Sequence, residues 1–224
     1  MSSFVLVHGA HHGGWCWYKV AALLEAQGHR VLAVDLPGHG RNAGAPGTMR
    51  SYIDYVSRLL ETEAEPVILV GHSMGGAVIT GVGEACPNKI AHLVYVTAFL
   101  AENGVSMTGA LSAQAGADGM VPVSDLSELV YHDCPVEDAM LARLCQTPQA
   151  VEPLVTPVMW TAERWGNIPR TYIGCTLDRV FPIAEQRRRT AIHPGANWVE
   201  LESSHSPFFS MPAKLVAYFT ALTN

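Results

Sequence analysis

The stretch Val67-Ile68-Leu69-Val70-Gly71-His72-Ser73-Met74-Gly75-Gly76 constrains the fold of this chain more than any other part of it. Four apolar residues of strand length run straight into a glycine-flanked turn, and a helical segment is predicted from about Gly75 to Glu84. In the pattern G-x-S-x-G, a serine sits on a strained strand-to-helix bend that pushes its hydroxyl out of the sheet. The flanking residues are small because the helix packs against the strand there. Gly71, Ser73 and Gly75 occupy the three fixed places. The helix after the turn would aim its N-terminal N–H groups and dipole at any oxyanion forming beside Ser73. Such a serine needs a base and an acid, and these are expected on later strand ends.

The rest of the chain supplies the strands. Phe4–Val7, Val31–Val34, His92–Val96, Arg170–Gly174 and Trp198–Leu201 are short, mainly apolar runs, and helical periodicity separates most of them. One predicted helix follows Trp17 and is closed by Gly28, a second runs from Ser51, its expected N-cap, to Glu61, a third from Pro182 to about His193, and a last one from about Pro212 to Thr220. Strands alternating with helices make βαβ units and a parallel sheet. The alternation breaks from roughly Thr97 to Pro169, where Gly, Ser and Pro are frequent and only short helices are predicted, near Asp125–Val130 and Glu137–Cys145. A connection of that length is read as an inserted lid, so the expected division is a core of residues 1–96 and 170–224 with a lid of residues 97–169.

Composition narrows the function classes. In 224 residues, 49% hydrophobic and 15% charged, there is enough apolar material for one full core, which excludes a disordered chain. No run of about 18 apolar residues suggests a membrane span. A formal net charge of −6 leaves no basic footprint for nucleic acid. Arg187-Arg188-Arg189 reads as a solvated helix face. The five cysteines have no paired or zinc-like spacing, and the strand at the N-terminus leaves no room for a secretory leader, so a cytoplasmic protein with reduced thiols is expected. Nothing in the ten histidines has metal-ligand spacing, and neither metal nor cofactor is expected. An exposed apolar lid would suit a homodimer.

In an open parallel sheet the reacting groups sit in loops beyond the carboxyl ends of the strands. Those loops hold residues 8–14, 35–40, Ser73, 97–103, 175–180 and 203–207. A serine hydroxyl needs a base to remove its proton, and the base needs a carboxylate to fix its tautomer. His205 and Asp178 fill those places in the order Ser, acid, His. Glu102 is the alternative acid and His193 the competing base. The oxyanion donors are assigned to the backbone N–H groups of Met74, directly after the nucleophile, and of Ala10, in the glycine loop that follows His8. His8 is read as holding that loop, and Asp35 and His39 as parts of a turn. In the lid, Trp160, Met159, Met120 and Phe99 are the candidates for lining an acyl or alcohol pocket.

With these residues placed, the chain resembles an α/β-hydrolase of the plant methylesterase and hydroxynitrile lyase family, in a compact, bacterial-type version. The resemblance rests on Phe4–Tyr18 (FVLVHGAHHGGWCWY), Leu69–Gly76 (LVGHSMGG), the segment from Tyr172 to Asp178, and His205. It implies about six core strands, mostly parallel, with the first strand here standing where the third usually does. It also bears on the reaction. Lyase members of that family put a threonine after the loop histidine and a lysine after the catalytic histidine, where this chain has Gly9 and Ser206. A serine esterase acting on small or medium carboxylic esters is therefore expected, ahead of a lyase or biosynthetic tailoring enzyme that uses the same triad, and ahead of a non-catalytic small-ligand receptor.

Overall fold

The computed structural model describes residues 1–100 and 102–223; Ala101 and Asn224, which the expected lid and core boundaries include, lie outside the described residues. In chain order the elements are β1 (Ser3–Val7), α1 (Tyr18–Ala26), β2 (Arg30–Ala33), α2 (Met49–Glu61), β3 (Val67–His72), α3 (Gly75–Ala85) and β4 (Ile90–Val96). Then follow β5 (Met120–Val121), α4 (Ser127–Val130), α5 (Val136–Cys145), β6 (Gln149–Ala150) and α6 (Glu152–Val155). The chain closes with β7 (Arg170–Cys175), α7 (Ile183–Ala191), β8 (Ala196–Leu201), α8 (Pro207–Ser210) and α9 (Pro212–Ala221).

Six strands form one sheet in the order β2-β1-β3-β4-β7-β8, and every pairing is parallel. All six carboxyl ends therefore lie along one edge. Alternate residues of the strands face opposite layers, as the two-residue period of a strand requires. Val5, Val7, Val67 and Leu69 pack against α2 and α3, whereas Phe4, Leu6, Ile68 and Val70 pack against α1, α8 and α9. The apolar runs of β1 and β3 are continuous because both faces are covered.

Local boundaries follow local chemistry. The helix expected from Ser51 starts two residues earlier, at Met49, because Thr48 is its N-cap. Thr48 accepts from the Ser51 N–H and Ser51 Oγ accepts from the Thr48 N–H, a reciprocal capping box that places Ser51 at the third helical position. The segment between β4 and β7 contains the two expected short helices, as α4 and α5, and adds a two-residue antiparallel pair, β5 with β6. It is tied to the core at several points. Lys19 pairs with the buried Asp138 at 2.5 Å, Thr147 exchanges hydrogen bonds with His11, and Asp133 accepts from the Ser204 N–H at 2.7 Å. Among the described residues, no helix is long and apolar enough to cross a membrane.

Candidate active site

Ser73 directly follows β3 with φ of +51°, a left-handed conformation for a residue other than glycine. The turn is held by its own backbone: the Ser73 carbonyl accepts from Gly76 N–H at 3.0 Å and Phe99 N–H at 2.9 Å. The two flanking glycines are required by close approach. A Cβ on Gly71 would lie 2.6 Å from the Gly75 oxygen, and one on Gly75 would lie 2.8 Å from the carbonyl oxygens of Val7 and His8. Strand and helix thus cross too closely for any side chain, and the strained serine is the consequence.

His205 and Asp178 arrive from the ends of β8 and β7. His205 Nδ1–H donates to Asp178 Oδ2 at 2.7 Å, in a setting where both side chains are almost fully buried. The other carboxylate oxygen accepts from the Val180 and Phe181 N–H groups at 2.7 and 2.9 Å. Thr97, itself in a left-handed conformation at the end of β4, donates its hydroxyl to Oδ2 beside His205. Burial pushes the Asp178 carboxyl up, but His205 and these donors outweigh it and hold it below the usual carboxylate range. A third contact fixes His205 from behind, where His72 Nε2–H donates to the His205 carbonyl at 2.8 Å.

The glycine loop after β1 is set by imidazoles in defined tautomers. Leu36 N–H donates to His8 Nε2 at 3.1 Å, so His8 carries its proton on Nδ1 and donates it to the Gly9 carbonyl at 2.8 Å. That carbonyl shares a peptide plane with the Ala10 N–H, whose direction is fixed in turn. Asp35 holds the far end of the loop by accepting from the Gly14 N–H at 2.7 Å. Ala10, Ser73, His72 and His205 line one cavity of about 290 Å³, whose remaining wall includes Leu111, Gln114, Leu126, Leu129, Val130 and Val180. A serine on a strained turn and a histidine oriented by a buried carboxylate, both lining one apolar cavity, form an arrangement suited to acyl transfer.

The Alpha/beta hydrolase family model matches residues 4–218. The chain belongs to the alpha/beta hydrolase family. Methylesterase 1 of Arabidopsis thaliana is 34% identical over 251 residues, covering 99% of this chain and 95% of the relative. Methyl jasmonate esterase 1 of Vitis vinifera is 32% identical over 245 residues, covering 96% and 94%. The crystal structure of a pyrethroid hydrolase from Sphingobium faniae JZ-2 superposes with a TM-score of 0.85 at 33% identity, covering 98% of this chain and 96% of that one. The likeness to plant methylesterases drawn from the motifs is borne out over nearly the whole chain.

In this hydrolase the residues expected to line the pocket lie elsewhere. Thr161 and Arg164 are hydrogen-bonded to Glu84 and to the carbonyls of Glu84 and Ala85, which binds their segment to the C-terminal end of α3. Ser73 is at the other end of that 11-residue helix, about 16 Å away. Trp160 therefore packs on Trp165, with ring centroids 4.4 Å apart, and Met159 is 64% exposed beside a surface groove. Phe99 touches the nucleophile turn through its backbone, but its ring lies beneath the Arg189 guanidinium. Met120 is taken up in β5. Of the alternative catalytic groups, Glu102 is exposed and His193 is packed against Trp160 and Trp165, so neither joins Asp178 and His205. Sequence reasoning does not reach the roles of Thr97 and His72, although Thr97 opens one of the strand-end loops and His72 stands inside the serine motif.

Four imidazoles around the site are kept neutral. Burial, with help from neighbouring histidines, pushes His8 and His72 well below the usual value, His12 down to about 3 and His39 down to about 4. Above pH about 6.5 these groups are neutral in both folded and unfolded chains, and their contribution to stability is complete. As pH falls below that value the unfolded chain takes up protons that the folded chain refuses. Stability should drop by about 1 kcal/mol per histidine per pH unit until the folded values are reached. Asp178 acts only below about 3.9 and does not obscure this window. The urea midpoint at pH 5 should accordingly lie far below that at pH 7. A midpoint that stays level across the range would mean that these imidazoles are protonated in the native state.

Proposed function

We propose that this chain is a carboxylic ester hydrolase that cleaves small or medium esters with an apolar acyl or alcohol part through an acyl-enzyme on Ser73. The observation that carries the reading is the placing of Ser73 and the Asp178-oriented His205 at one apolar cavity of about 290 Å³. Ser73 Oγ attacks the ester carbonyl while His205 Nε2 takes its proton, and the oxyanion accepts from the N–H groups of Ala10 and Met74. Met74 directly precedes α3, so its N–H lies ahead of the intrahelical ladder and under the positive end of the helix dipole. Collapse of the intermediate breaks the bond to the alcohol oxygen, which leaves with the proton from His205. Water then attacks the acyl-enzyme by the same route and releases the acid. Residues 97–169 act as the lid, since Leu111, Leu126 and Leu129 of that segment form much of the apolar wall.

The lyase alternative is not favoured. A Cβ on Gly9 would lie 2.8 Å from the Ser73 Cβ and 2.9 Å from His72 Nδ1, so the threonine of lyase relatives has no room here without moving the nucleophile. Ser206 also provides no cation. Among the described residues all five cysteines are free, which suits a reducing cytoplasm. The exposed apolar stripe Val136, Met140 and Leu144 on α5 suits a homodimer. The deciding experiment combines a fluorophosphonate probe with a panel of methyl, aryl and short-chain esters. Stoichiometric labelling of Ser73 and turnover of at least one apolar ester are expected. A protein that neither labels nor turns over any ester is a binding protein, not an esterase.

A further inference from the structure

A chain of hydrogen bonds with a single possible polarity runs from the inserted segment into the oxyanion loop. His12 Nδ1 lies 2.7 Å from the Ala10 carbonyl, which can only accept, so that nitrogen carries the proton. His12 is buried and neutral at working pH, which leaves Nε2 as an acceptor. Tyr131 Oη, 2.7 Å away, must then donate to it, and its lone pair accepts from Gln146 Nε2 at 3.0 Å. The sequence Gln146 N–H to Tyr131 O–H to His12, and His12 N–H to Ala10 O, is complete at every atom. His8 fixes the peptide plane on one side of Ala10 by holding the Gly9 oxygen, and His12 fixes the plane on the other by holding the Ala10 oxygen. His12 also stacks on Trp15 and meets Phe208 edge-on, so its ring has no freedom to choose another partner.

We propose that Tyr131, polarised by Gln146, is a positioning residue that couples filling of the ester pocket to alignment of the Ala10 N–H through His12. The proposal rests on the esterase reading above. The coupling follows from chain order: Leu129 and Val130 line the cavity, and Tyr131 is the next residue. Tyr131 already lies within hydrogen-bond distance of His12, so a substrate group packed on Leu129 and Val130 holds that contact through the reaction, whereas a short group leaves the wall free to draw Tyr131 away from it. Binding energy from a part of the substrate remote from the carbonyl thus appears in kcat instead of KM.

The test uses Tyr131→Phe and Gln146→Glu. The first removes the donor to His12. The second keeps the shape but turns a donor into an acceptor, drawing the Tyr131 hydroxyl away from His12 Nε2. In the wild type, kcat should rise from an acetyl to a longer p-nitrophenyl ester. In both variants kcat for the longer ester should fall about tenfold with KM little changed, less than the about 10² to 10³ lost on deleting an oxyanion donor outright. The chain-length preference in kcat should flatten. Equal kcat values in wild type and variants, or a loss confined to KM, would overturn the coupling. A second readout does not depend on turnover: long-range proton–nitrogen NMR should find the His12 proton on Nδ1, held by the Ala10 carbonyl, in the wild type and both variants, with the Nε2 resonance displaced in the variants by loss of the Tyr131 hydrogen bond. A wild-type His12 protonated on Nε2 rejects the proposal even in an inactive protein. Loss of ester turnover in the wild type itself, with the tautomer as expected, fails the esterase reading alone.

Discussion

Replacing Ser73 with alanine should lower kcat for an apolar p-nitrophenyl ester by about 10⁶ while leaving the fold and its thermal midpoint nearly unchanged. The size of the effect follows from what remains. His205 would still be oriented by Asp178, and Ala10 and Met74 would still present their N–H groups, but no covalent intermediate could form. The residual rate would come from the oxyanion site and binding alone, about 10³ to 10⁴ above water. The small effect on stability follows from the way the turn is built. The hydrogen bonds that hold it, from Gly76 and Phe99 to the Ser73 carbonyl, are made by the backbone, and the close crossing is made by Gly71 and Gly75. Alanine inherits the same left-handed strain that serine already bears at +51°. The check is kcat beside a thermal melt and fluorophosphonate labelling. A variant within tenfold of wild type would remove Ser73 from the reaction, and one that is inactive but partly unfolded would not count in its favour.

The sheet and the elbow were legible because each is set by short-range pattern. Continuous apolar runs of four to six residues admit few structures once glycine loops bound them, and the parallel order then places every strand end on one edge. That edge alone was enough to name Asp178 and His205, the two side chains that the structure joins by a hydrogen bond. The pocket wall could not. Trp160 and Met159 looked suitable by residue type, but their position is decided by Glu84 at the far end of α3, a contact between residues 77 positions apart in the case of Thr161. The actual wall residues, Leu111, Leu126 and Leu129, sit in a segment with almost no periodicity to read. The histidine tautomers were equally hidden. They depend on which carbonyl or N–H each ring meets across the fold, as Leu36 meets His8 and Tyr131 meets His12.

Asp178→Asn should reduce kcat by about 10⁴ with little change in KM, a loss larger than the removal of one hydrogen bond can explain. The reason lies in the donors that surround the carboxylate. Oδ1 accepts from two backbone N–H groups, those of Val180 and Phe181, which can only donate and cannot move independently of the loop. An asparagine must therefore turn its carbonyl oxygen toward them and its amide nitrogen toward Thr97 and His205. Thr97 can rotate its hydroxyl and accept. His205 Nδ1 can satisfy the amide only by giving up its proton, which moves to Nε2 and faces Ser73. A nitrogen that already carries a proton has no free lone pair to offer the Ser73 hydroxyl and cannot accept its proton, so the wrong tautomer, not a lost contact, stops the reaction. Two further measurements separate these causes. Asp178→Glu, which keeps the acceptor but lengthens the arm, should lose less than Asp178→Asn if tautomer control dominates. The pH profile of the asparagine variant should also show renewed activity toward high pH, where hydroxide can act directly on the substrate. An Asp178→Asn variant with an undiminished rate would shift the acid's role to another carboxylate, and the exposed Glu102, whose charge is felt by Arg188 and His193, would have to reach His205.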